Sequence, residues 1–182
     1  MHNDPVSTYE DLVQAIVAKG VHDPRLLRAM RRVPRSEFVP PNLAERAYLD
    51  QPLPIPHGQV TTQPSLVAKM IEALGLAGSE HLLEIGTGYG FQTALLAHLS
   101  NFVWSVERWS DVAVAARANL SRLGLLNVEV TVGDGTEGLA EHAPSHLTHA
   151  LICCVTGQWL PIELTHLQGE WSSRAKLPIC VE

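Results

Sequence analysis

The chain has 182 residues, 46% of them hydrophobic and 18% charged, with a net charge of −6. That length suits one domain with a sizeable core, and the apolar fraction is too high for disorder. The acidic balance argues against a general nucleic-acid binder, and no apolar run reaches the roughly 18 residues of a membrane span.

The N-terminus, Met1-His2-Asn3-Asp4-Pro5, lacks the basic and apolar regions of a signal peptide, so the expectation is a soluble, cytoplasmic protein. Leu12, Val13, Ile16 and Val17 recur at helical spacing, with Gly20 as a stop. Asp23-Pro24 then opens a second helix through Leu26, Leu27 and Met30, which ends near Val33-Pro34. Residues 51–64 (QPLPIPHGQVTTQP) hold four prolines and a glycine and predict an extended loop. Leu66, Val67, Met70, Ile71 and Leu74 form the apolar face of the next helix.

A strand at 81–85 follows, then a glycine-rich turn and a helix over 93–99. A second strand, 102–106, precedes a helix from an Asp111 cap to Leu123. Val128, Val130 and Val132 alternate as a third strand, and 150–155 offers a fourth. Strands alternating with helices imply an α/β fold with a parallel, doubly wound sheet behind N-terminal helices.

The strongest local pattern is Leu83-Glu84-Ile85-Gly86-Thr87-Gly88-Tyr89-Gly90, a strand running through GxGxG into a helix. Glycines there admit a ligand close to the backbone, and the helix N-terminus offers unpaired N–H groups. Glu107 ends the next strand about twenty residues later, where a carboxylate accepts hydrogen bonds from ribose hydroxyls. Gly133-Asp134-Gly135 puts another carboxylate at the same sheet edge. Together these describe a site for an adenosine-containing cofactor. NAD is the weaker choice, because Phe91 stands where the dinucleotide fingerprint has its third glycine.

LLEIGTGYGFQTALLAHL, VWSVER and NVEVTVGDGTEG resemble the class I S-adenosylmethionine-dependent methyltransferases. The upstream RVPRSEFVP and PLPIPHGQVTTQPSLVAKMIEAL are similar to segments of the protein-L-isoaspartate O-methyltransferase family, with the resemblance running from about Leu12 to Pro144. It implies a Rossmann-like methyltransferase fold and transfer of a methyl group from S-adenosylmethionine to isoaspartyl carboxylates in damaged proteins, a repair reaction. It also implies that Glu84, Gly86, Thr87, Gly88, Tyr89 and Gly90 line the methionine end of the cofactor. Glu107 would hold the ribose, and Asp134 and Gly135 would face the adenine. Gln59, Val60 and Thr61 would bind substrate, and Thr62 takes the place of the family's usual serine beside the reacting carboxylate. The implied partners are isoaspartyl proteins and peptides, met by a monomer, with neither nucleic acid nor membrane.

Other residues have plainer readings. The nine histidines include His142, His146 and His149 near Cys153 and Cys154, but the spacing fits no zinc pattern, and no metal is expected. Those two cysteines, with no paired base, read as inert thiols. His57 reads as structural or catalytic. Arg25, Arg28, Arg31, Arg32 and Arg35 read as a solvated helix face rather than a nucleic-acid patch.

The chain reads as N-terminal helices and substrate loop over 1–64, a cofactor-binding core over 65–144 and a divergent or frameshifted tail over 145–182. His149 stands where the family has an aspartate, no Gly-Gly pair occurs, and all three cysteines lie after Pro144. A sheet incomplete beyond its first three strands is the corresponding expectation. The alternatives are a related class I methyltransferase with another substrate, or an inactive S-adenosylmethionine-binding protein.

Overall fold

The structure, a computed structural model, describes residues 8–135, 149–152 and 160–162. Helix α1 spans Tyr9–Ala18 and opens on a capping box in which Thr8 Oγ1 accepts from the Asp11 N–H while the Asp11 carboxylate accepts from the Thr8 N–H. Helix α2, Pro24–Arg32, is capped by Asp23, which accepts from the Arg25 and Leu26 N–H groups. Val33, preceding proline, leaves helical geometry as expected. Two short 3-10 turns, Arg35–Phe38 and Pro41–Arg46, lead into the proline-rich segment.

That segment is more ordered than the extended loop predicted for it. Strands β1 (Leu53–Ile55) and β2 (Gln59–Thr61) pair antiparallel, with Ile55 opposite Gln59. The turn between them holds His57 and Gly58 at φ +63° and +68°, the pair of positive values that a type I′ hairpin turn requires. A two-stranded ribbon has two free edges, so Pro54 fits without losing a ladder bond. Helix α3, Pro64–Ala73, follows at once.

The main sheet comprises β3 (His81–Ile85), β4 (Phe102–Glu107), β5 (Val128–Val132), β6 (His149–Ile152) and β7 (Leu160–Ile162), in the order β5-β4-β3-β6-β7. The first four run parallel, and β7 is antiparallel to β6. Helix α4, Phe91–Ala97, links β3 to β4, and α5, Ser110–Arg122, links β4 to β5. Strand β6 overlaps the fourth strand read over 150–155 and pairs with the far side of β3, and β7 pairs with β6 in turn.

One apolar core joins these layers. Leu12, Val13 and Ile16 of α1, Leu26 and Met30 of α2, and Val67 and Ile71 of α3 pack with Leu95 and Leu96 of α4. Leu82 of β3 and Val103 of β4 belong to the same cluster, which seats the N-terminal helices over one face of the sheet. Fully burying side chains of this size is worth about 1.5–3 kcal/mol each, so this face is what holds the helices down.

Candidate functional site

Strand β3 is followed in sequence by β4 and β5 on one side and is flanked by β6 on the other. In open α/β sheets this reversal leaves a crevice beyond the carboxyl ends of the strands, where ligands bind. Alternation along the strands decides what reaches it. Leu82 and Val103 belong to the core, and the next residues on their face are Glu84, Ser105 and Glu107, all buried. The core face therefore turns polar as it nears the crevice.

Glu84 has no exposed surface. Gln92 Nε2 donates to its Oε1 at 2.9 Å, and the hydroxyls of Thr93 and Ser105 donate to its Oε2, the latter at 2.6 Å. Thr87 Oγ1 lies 2.6 Å from Ser105 Oγ. Burial pushes the Glu84 carboxyl up to about 7; the three hydrogen bonds oppose that rise, and the nearby Glu107 adds to it. The resemblance put Glu84 and Thr87 along the cofactor. Their side chains are bonded within the polar end of the core, Glu84 to Gln92, Thr93 and Ser105, and Thr87 to Ser105.

The loop itself needs its glycines. Gly86, Gly88 and Gly90 have φ of +94°, +54° and +93°, a region that side chains with a Cβ rarely enter. Gly90 also caps α4, and a Cβ there would sit 3.3 Å from Leu120 Cγ. Half-buried Tyr89 is fixed through its carbonyl, which accepts from Asn119 Nδ2 at 3.0 Å.

Glu107 ties the loop to the next strand. Its Oε2 accepts from the Gly88 N–H at 2.8 Å and its Oε1 from the Trp109 N–H at 3.0 Å. Its own carbonyl accepts from the Gly133 N–H at 3.0 Å, which brings exposed Asp134 to the same sheet edge. A carboxylate has about four acceptor positions, so Glu107 keeps capacity for ligand hydroxyls after serving two backbone donors. Gly135 lies against β3: a Cβ there would run into the Ile85 side chain.

The hairpin is held over this edge. Ile55 Cδ1 lies 3.9 Å from where a Gly88 Cβ would be. The His57 ring stacks on Trp109 at 4.0 Å, and its Nε2 donates to the Asp111 carboxylate at 2.9 Å. That bond, with further help from the charge on His57, holds the Asp111 carboxyl below its ordinary range. Asp111 is thus not the helix cap that its sequence position suggested: Trp109 occupies the cap position, and Asp111 lies in the first turn of α5 with its side chain committed to His57.

Within the hairpin, Thr61 Oγ1 accepts from Arg35 Nη2 at 2.9 Å and from the Leu53 N–H at 3.1 Å. Thr62 is half-buried and follows directly. Gln59 Nε2 donates to the His57 carbonyl, and Val60 is 46% exposed.

Arg35 was not recognisable within its arginine cluster. It is 1% exposed, not part of a solvated face. Arg31 does lie outside, paired with Glu10 at 2.9 Å. The difference is positional: Arg31 is on the outer face of α2, whereas Arg35 follows the helix in a turn that faces the hairpin. Among the described residues no group of three His, Cys, Asp or Glu side chains is placed to hold a metal ion. His142, His146, Cys153, Cys154 and Cys180 lie outside the described residues. No described helix is long and apolar enough to cross a membrane.

Comparison with known proteins bears on this arrangement. A protein-L-isoaspartate O-methyltransferase of Methanoculleus marisnigri is 52% identical over 136 residues, covering 74% of this chain and 62% of its own length. One from a Synechococcus species is 49% identical over 144 residues, covering 78% and 59%. The chain therefore spans about three fifths of the length of these curated relatives. Among solved structures, a protein-L-isoaspartate O-methyltransferase superposes with a TM-score of 0.69 at 29% identity, over 80% of this chain and 47% of that one. A Plasmodium falciparum chain described as a beta-aspartate methyltransferase (PCMT), crystallised with S-adenosyl-L-homocysteine, shares the fold at TM-score 0.59 and 21% identity, over 69% of this chain and 62% of its own. The model of the protein-L-isoaspartate(D-aspartate) O-methyltransferase (PCMT) family matches residues 7–166, past Pro144, where the resemblance read from sequence stopped. With that match spanning the N-terminal helices, the hairpin, the glycine loop and the sheet, the chain belongs to the protein-L-isoaspartate(D-aspartate) O-methyltransferase family.

Proposed function

We propose that this chain transfers a methyl group from S-adenosylmethionine to the free carboxylate of isoaspartyl residues in proteins and peptides. The observation that carries the reading is the seating of the Thr61-Thr62 hairpin on the glycine loop and the Glu107 edge, through Ile55 and His57.

The residues present fit that cofactor. The glycine loop has backbone geometry that leaves room for close approach, and Glu107 has acceptor capacity for a ribose diol. Gly86, Gly88, Tyr89 and Gly90 would hold the amino-acid end, Glu107 the ribose, and Asp134 with Gly135 the adenine. Glu84 and Thr87 stay bonded within the core. When bound, S-adenosylmethionine supplies a methyl group already activated by a sulfonium centre.

The protein then has little chemistry to perform. A carboxylate with a pKa near 4 is ionised at neutral pH, so no general base is required. The remaining task is to align a carboxylate oxygen with the methyl group and exclude water, which is catalysis by orientation. The Thr62 hydroxyl donates a hydrogen bond to the non-attacking carboxylate oxygen and fixes its direction. Gln59, Val60 and Thr61 present an extended edge to the peptide. The net charge of −6 supports a protein substrate over nucleic acid, and a cytoplasmic monomer is part of the same proposal.

A paired assay tests this. Purified protein is incubated with methyl-labelled S-adenosylmethionine and either an isoaspartyl peptide or its aspartyl twin. Label on the isoaspartyl peptide alone is expected. Equal labelling of both points to a methyltransferase of other specificity, and cofactor binding without transfer to either identifies an inactive binding protein.

A further inference from the structure

The guanidinium of Arg35 lies at the centre of the segment that carries Thr62. Its Nη1 donates to the carbonyls of Ala47 at 2.8 Å and Leu49 at 3.1 Å. Its Nη2 donates to the Gln51 carbonyl at 3.0 Å, to Thr61 Oγ1 at 2.9 Å and to the Thr62 carbonyl at 3.4 Å. The cation also lies 5.8 Å from the ring centre of Phe91, the first residue of α4. One side chain thus spans the polypeptide from Ala47 to Thr62 and touches the helix that begins at the glycine loop.

Little about this arrangement serves packing alone. A fully buried cation without a bonded carboxylate is an expensive way to fill a core. Burial lowers the Arg35 pKa to about 10, with Asp50 opposing, so the side chain remains charged at neutral pH. What it supplies is a rigid planar fork of donors that sets several acceptors at once, which the single ammonium of lysine cannot reproduce. The acceptors are four carbonyls and one hydroxyl, all from the segment ending at Thr62.

We infer that Arg35 is a positioning residue for methyl transfer, fixing the backbone from Ala47 to Thr62 so that the Thr62 hydroxyl meets the substrate carboxylate. This rests on the function proposed above. Arg35 touches no reactant itself and acts through Thr61 and Thr62.

The test compares Arg35→Lys with the unaltered protein in kcat on the isoaspartyl peptide, S-adenosylmethionine affinity, and amide hydrogen exchange. Expected are a fall in kcat of about tenfold or more, cofactor affinity within about twofold, and faster exchange confined to residues 47–62. Unchanged kcat with loosened exchange overturns the inference, as does faster exchange throughout the core strands, which marks a purely structural role. If Arg35→Lys does not fold, Thr61→Val removes one acceptor of the guanidinium and is expected to give the same local pattern with a loss of a few-fold; normal kcat in that variant overturns the inference. Should the unaltered protein label no isoaspartyl peptide, the proposed reaction fails by itself. The exchange data then decide the clamp: protection unchanged over 47–62 refutes it.

Discussion

His57 lies flat on Trp109, with ring centres 4.0 Å apart and planes 6° from parallel, and donates from Nε2 to Asp111 two residues further on. Trp109 in turn gives its backbone N–H to Glu107. The turn of the hairpin and the acid at the strand end therefore share one short stretch of chain, so loosening the hairpin disturbs the edge of the proposed cofactor site.

Replacing His57 tests that coupling. His57→Asn tolerates the left-handed backbone but gives up the stack. Amide exchange over residues 53–61 is expected to speed up by roughly threefold to tenfold, with the core strands unaffected. Unchanged exchange would show that Ile55 and the Arg35 bonds to Thr61 and Thr62 hold the hairpin without the stack.

Thr62→Ala is expected to lower kcat by about tenfold or more while leaving S-adenosylmethionine affinity unchanged, because the proposed role of the lost hydroxyl is to orient only the substrate. Thr62→Ser, which keeps the hydroxyl, retains most of the rate. Steady-state kinetics on the isoaspartyl peptide, alongside calorimetric titration of the cofactor, separates these outcomes. A full rate in the alanine variant removes Thr62 from the mechanism.

Glu107→Ala strips an acceptor from the Gly88 and Trp109 N–H groups and from the proposed ribose contact. Hydrogen bonds to a charged partner are worth about 1.5–3 kcal/mol, so cofactor affinity is expected to fall by roughly tenfold to a hundredfold. Glu107→Gln, which still accepts through its amide oxygen, falls between. Calorimetry that finds affinity intact would refute the ribose assignment.

Glu84 makes stability depend on pH. Its folded pKa, about 7, stands above the ordinary value of 4.5, so the folded protein keeps a proton that the unfolded chain has released. The resulting stabilisation is complete below pH 4.5 and is lost as pH rises through about 7. Glu84→Gln abolishes this dependence, so its Tm declines less than that of the unaltered protein between pH 5 and pH 8. Parallel Tm profiles for the two proteins would sink the assignment.

Sequence alone determined what rests on short-range rules. Alternation and 3.6-residue periodicity located α1 to α5 and the parallel strands β3 to β6, though not β1, β2 or β7; Asp23-Pro24 marked a helix start, and GxGxG after a strand marked the loop above the crevice. Each of these depends on neighbours within a turn or two, so the residues themselves carry the information. Tertiary structure alone decided which partners Glu84 and Thr87 meet, that Asp111 serves His57 instead of capping α5, and that one arginine of five is buried. Those outcomes join residues 54 positions apart in the His57–Asp111 pair and 26 apart in the Arg35–Thr61 pair. Such contacts exist only once the helices have settled on the sheet and the hairpin has closed against the glycine loop. Burial and proximity, which assign those side chains their partners, belong to the assembled fold and have no local pattern in the chain.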